Sequence, residues 1–145
     1  MPGRAQANEV IKGKLYQRGQ FLTWPYEQKR EMLKRYGIDV VVNLWSKVDP
    51  DLSGGGVIYI NWETSPSDLP RDADLMVNYL MRLIQDGHCA LIHCEAGRGR
   101  SVWLTTRVLA ALGGIGNDEA LQQIRGGLIP SDSLKGELLE DLKNG

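Results

Sequence analysis

The sequence predicts an α/β fold, with a central, mostly parallel sheet flanked by helices. Two runs, 38–45 (IDVVVNLW) and 89–94 (CALIHC), are apolar on both faces, as strands covered by helices on each side must be. Apolar stripes at helical spacing alternate with them along the chain. Those stripes end on glycine at Gly37, Gly87, Gly113 and Gly126, where a helix C-terminus favours a residue free to turn left-handed.

The 145 residues read as a single domain over 1–145, with the polar segment 1–8 expected to be a flexible tail. Residues 10–18 alternate around Val10, Leu15 and Tyr16, with Gly13 as a turn signal, which predicts a short edge strand or hairpin. Thr23 is placed to cap a helix with Pro25 in its first turn, and Met32, Leu33 and Tyr36 follow at helical spacing. After the 38–45 strand come a loop at 49–56 (DPDLSGGG) and a second short strand at 57–62. A polar loop, 63–70 (ETSPSDLP), leads into a helix whose stripe is Leu75, Met76, Tyr79, Leu80, Leu83 and Ile84. The 89–94 strand is followed by a helix from about Gly99 to Leu112. Asn117 or Asp118 can cap a fourth helix, and Ser131 or Ser133 a last one running through Leu134, Leu138, Leu139 and Leu142.

The formal net charge of -1 gives no reason to expect nucleic acid or an anionic membrane as partner. No run approaches the length of a membrane span. The first eight residues lack the apolar core of a signal peptide. Cys89 and Cys94 share one predicted strand at a spacing that suits neither a metal site nor an ordinary disulfide. The expected setting is therefore reducing and cytoplasmic.

The chemistry concentrates in 91–101, LIHCEAGRGRS. A buried strand ends at His93-Cys94, a loop of small residues follows, and a helix begins at Arg100-Ser101. Residues Glu95, Ala96, Gly97, Arg98, Gly99 and Arg100 can turn their N–H groups inward around an anion, with Gly97 and Gly99 tolerating the unusual backbone angles. The following helix adds partial positive charge at its N-terminus. Arg100 can grip two phosphate oxygens with its planar fork. The same field favours a thiolate at Cys94 over an inert thiol. The Ser101 hydroxyl can hydrogen-bond the sulfur and ease its departure from phosphorus, and His93 is placed to orient backbone. A lone cysteine is more often a small hydrophobe. Here it coincides with the strand, the histidine, the two glycines and the helix start. No Gly-Lys-Ser/Thr is present, which disfavours a nucleotide phosphate loop.

HCEAGRGRS resembles the HCxxGxxRS/T signature of cysteine-dependent protein tyrosine phosphatases, and is most similar to their compact dual-specificity branch. Residues 14–20 (KLYQRGQ) and 37–44 (GIDVVVNL) are similar to that family's opening strand and a following strand. The resemblance implies the tyrosine-phosphatase fold and a two-step reaction through a cysteinyl-phosphate, without metal or cofactor. It also implies an acid on the 63–70 loop, for which Glu63 and Asp68 are the candidates. Arg98 is expected at the rim, and Arg125 resembles an arginine that braces the loop.

The expected substrate is a phosphorylated protein or a small phosphomonoester, handled by a monomer. A phosphoinositide, an inositol phosphate or an RNA 5′ end is the alternative, as is a phosphate-binding pseudophosphatase. Glu at position 95, where a lysine would favour polyanions, weighs against a highly charged head group.

Overall fold

The computed structural model describes residues 6–144. The chain runs β1 (Asn8–Ile11), β2 (Leu15–Arg18), α1 (Tyr26–Tyr36), β3 (Val40–Asn43), β4 (Ile58–Asn61), α2 (Ala73–Gln85), β5 (Ala90–His93), α3 (Arg100–Gly113), α4 (Asn117–Gly126) and α5 (Gly136–Lys143). The five strands form one sheet in the order β1-β2-β5-β3-β4. Only β1 is antiparallel to its neighbour; β2, β5, β3 and β4 all run parallel. Residues 1–5 of the expected tail lie outside the described residues, and Asn8 opens β1.

Strand alternation sorts the core into two layers. Leu15, Val40, Val42, Ala90 and Ile92 face a cluster built with α2, α3, α4 and α5. Tyr16, Val41, Cys89 and Leu91 face the other way, onto Phe21, Met32, Leu33 and Ile38 around α1. β3 and β5 are therefore buried along their whole length, which explains their uninterrupted apolar runs. The α1 face is completed by the 49–56 loop. Buried Lys29 holds it, with Nζ 2.9 Å from Asp49 Oδ2 and 2.9 Å from Asp51 Oδ2.

Several element boundaries differ from expectation. The 10–18 segment is a hairpin turning at Gly13 (φ 75), and its second strand is interior, between β1 and β5. Thr23 does not cap α1: the N-cap is Pro25, whose missing N–H removes one orphan donor. On α2 the buried face is Ala73, Val77, Leu80 and Ile84, while Leu75 and Tyr79 stand exposed. Gly116, rather than Asn117 or Asp118, precedes α4. Neither Ser131 nor Ser133 caps α5, which starts at Gly136. The Ser133 N–H is spent on the Arg98 carbonyl, 3.2 Å away. Of the four tryptophans only Trp103 is buried; Trp62 packs beside it at 6.3 Å between ring centroids.

Candidate active site

Because β5 lies at the centre of the parallel strands, its carboxyl end delivers Cys94 to the edge of the sheet beneath the N-terminus of α3. Cys94 is 2% exposed. Its Sγ lies 3.2 Å from Ser101 Oγ and 3.4 Å from the Ser101 backbone nitrogen. Thus the first turn of α3 is already aimed at the sulfur.

The 95–99 loop is polarised. Its carbonyls point outward: that of Glu95 accepts from Gln20 N at 2.9 Å, that of Gly97 from Gln17 Nε2 at 2.8 Å, and that of Arg98 from Ser133 N at 3.2 Å. Among the described residues, no N–H from Glu95 to Arg100 donates to a backbone or side-chain acceptor. Gly99, the N-cap of α3, has no side chain to engage the helix's first N–H groups. A ring of orphan donors at a helix N-terminus can hold an anion.

The shape of this ring is held by backbone against backbone. Gly97 sits at φ 75, and a Cβ there would run into the backbone nitrogen of Gly19. A Cβ on Gly19 would in turn come within 2.9 Å of the Ala96 carbonyl oxygen. Gly99 meets Ser133 in the same way, at 2.9 Å from its carbonyl oxygen. The loop is thus moulded by the turn after β2 on one side and the segment before α5 on the other.

Arg100 is largely buried and spans to the loop after β4. Its Nη1 donates to the Thr64 carbonyl at 3.3 Å, and its Nη2 is 3.9 Å from Glu95 Oε1. The residue of the 63–70 loop that reaches the site is therefore Thr64. Glu63 is exposed, and Asp68 lies in a turn with its Oδ2 accepting from Ser65 Oγ at 3.2 Å. Among the described residues neither carboxyl contacts Cys94 or Arg100. Arg98 points to the rim and pairs with Asp132 at 3.0 Å. Arg125 donates to Ser131 Oγ at 2.9 Å, bracing the segment that holds Arg98 and Gly99.

His93 packs edge-on against Phe21, and its Nδ1 faces the Cys94 carbonyl at 3.2 Å. An acceptor at that distance requires the Nδ1–H tautomer. Nε2 has no partner among the described residues, and burial pushes the imidazole pKa down to about 4. The ring is a neutral brace. Cys89 lies at the other end of β5, and burial, reinforced by Asp39, pushes its thiol up to about 11, so it is a core residue.

Gln17, Gly19, Gln20 and Thr64 escaped the sequence reading as site residues. Gln17 carried a usable signal: an amide on a strand face shared with Leu15 must find buried partners.

No protein-family model matches the chain, and no curated protein does. Solved structures superpose on nearly all of it. Human DUSP28 is 16% identical with a TM-score of 0.75, covering 99% of this chain and 93% of that one. The PTP-2 phosphatase of Cydia pomonella is 20% identical with a TM-score of 0.75, covering 97% and 89%. PTPMT1 in complex with PI(5)P is 16% identical with a TM-score of 0.78, covering 95% and 92%. The fold is that of the compact dual-specificity and protein tyrosine phosphatases.

Proposed function

We propose that this chain is a metal-independent phosphomonoester hydrolase of the protein tyrosine or dual-specificity kind. The observation that carries the reading is the buried Cys94 sulfur at the first turn of α3, with the N–H groups from Glu95 to Arg100 beside it donating to no other described group. The Cys94 thiolate attacks phosphorus while Arg100 and the loop amides hold the equatorial oxygens. The P–O bond breaks, and the leaving oxygen takes a proton. Water then attacks the cysteinyl-phosphate, the P–S bond breaks, and the departing thiolate accepts a hydrogen bond from Ser101. A nucleophilic thiolate needs reducing surroundings, which supports a cytoplasmic setting.

Glu63 or Asp68 would have to swing inward to protonate the leaving group. With Thr64 as the resident neighbour of Arg100, the arrangement favours leaving groups that need little proton assistance. Phosphotyrosine in a protein is the substrate this supports best. PTPMT1 was crystallised with PI(5)P. A phosphoinositide is therefore the second reading, against which the exposed Glu95 carboxylate stands at the rim.

The test is hydrolysis of an aryl and an alkyl phosphate in the presence of EDTA. The parent protein is expected to turn over the aryl ester at least about 100-fold faster than Cys94→Ser, and to prefer aryl over alkyl. Retained activity in Cys94→Ser, or none in the parent, would refute the assignment.

A further inference from the structure

Gln17 is fully buried on β2, and its amide is engaged on both sides. Nε2 lies 2.8 Å from the Gly97 carbonyl oxygen and 2.7 Å from Ser101 Oγ, and Oε1 accepts from Asn8 Nδ2 at 2.9 Å. The orientation of the amide is dictated by its neighbours. A carbonyl can only accept, so the atom facing Gly97 must be the NH2 group. One hydrogen goes to Gly97 and the second to Ser101 Oγ.

This fixes the serine as well. Ser101 Oγ is an acceptor toward Gln17, so its own hydrogen must point elsewhere. Among the described residues Ser101 Oγ makes no hydrogen bond to a carbonyl. The remaining neighbour is Cys94 Sγ at 3.2 Å, and as a thiolate, with no hydrogen of its own, that sulfur can only accept. We infer that Gln17 is a positioning residue that locks the Ser101 hydroxyl as a hydrogen-bond donor to the Cys94 sulfur. Through the Gly97 carbonyl it also pins the loop with its amides turned inward. The chain Asn8–Gln17–Ser101–Cys94 runs from the hairpin edge to the sulfur in one direction of donation. The inference rests on the phosphatase reading for its effect on turnover, but its effect on the sulfur is independent of it.

Two readouts separate the two. In Gln17→Met, which keeps the buried volume, turnover of an aryl phosphate is expected to fall about 10- to 100-fold, the scale of one hydrogen bond to a charged group. Breakdown of the cysteinyl-phosphate should become limiting, giving a burst of released phenol before a slow steady state. Alkylation of Cys94 by iodoacetamide, which requires no turnover, should need higher pH than in the parent. Because Gln17 acts through Ser101, the double variant Gln17→Met with Ser101→Ala should be no worse than Ser101→Ala alone. Should Gln17→Met not fold, Asn8→Ala tests the same chain from its exposed end and should move the alkylation profile in the same direction. An unchanged alkylation profile, or losses that simply add in the double variant, would overturn the inference. A parent without phosphatase activity would overturn the functional assignment and leave the alkylation comparison standing.

Discussion

At the scale of single residues, the site separates what a motif announces from what geometry adds. That Cys94 and Ser101 meet at the start of α3 was legible because the strand, loop and helix start stand at a fixed spacing in one short stretch. Gln17 and Thr64 were not, because each meets the loop across more than 30 positions of sequence. Gly126-Gly127 reads as a helix stop, yet the left-handed residue after α4 is Leu128 (φ 63), 88% exposed. Its N–H reaches the Arg125 carbonyl and that of Ile129 the Ile124 carbonyl, so the two glycines only loosen the approach to that turn. His93 makes a prediction at this scale. Its pKa is held near 4 in the fold against 6.5 for the free side chain. Between those values the unfolded chain takes up a proton that the folded chain refuses. Stability is therefore full above pH 6.5 and falls as pH drops toward 4, by up to about 3 kcal/mol from this one ring. Urea midpoints should fall less steeply through that window in His93→Asn than in the parent. Parallel slopes would remove His93 as the source.

At the scale of elements, the periodicities located the helices, but their contact faces were decided by what lies opposite. Of the expected α2 stripe, Met76, Leu80, Leu83 and Ile84 pack on the core, while Val77 takes the place of the exposed Leu75 and Tyr79 on the face that α3 covers. The start of α5 could not be read from capping residues because its neighbour, the 63–70 loop, sets it. Glu137 N donates to the Ser67 carbonyl at 2.6 Å, and Glu137 Oε1 accepts from Leu69 N at 2.8 Å. Gly136, at φ 60, lets the two segments meet; a Cβ there would lie 2.6 Å from the Ser67 oxygen. Gly136→Ala should therefore cost about 1–3 kcal/mol in urea denaturation. It should also raise KM for an aryl phosphate, since the same loop presents Thr64 to Arg100. A destabilised variant with unaltered KM would show that the loop's position does not reach the cradle.

At the scale of the molecule, the α/β class was legible from two short runs apolar on both faces, as strands paired on both edges and covered on both faces are, with helical stripes between them. The strand order was not, since nothing local states that β5, late in sequence, enters between β2 and β3. That insertion makes β5 the strand most dependent on the whole fold. Its amides should exchange with solvent only on global unfolding, while those of the edge strands β1 and β4 exchange by local opening. Hydrogen exchange resolved by residue checks this, and equal protection in β4 and β5 would contradict it.

The polarised loop also divides labour within each of its residues. Its main chain is fixed by contact with Gly19 and Ser133, while the side chains of Glu95 and Arg98 face solvent at 60% and 48% exposure. On the proposed phosphatase function, admission and reaction are thus written in different parts of the same five residues. Selection can retarget such a protein by editing the outward side chains, with the inherited reaction centre left untouched.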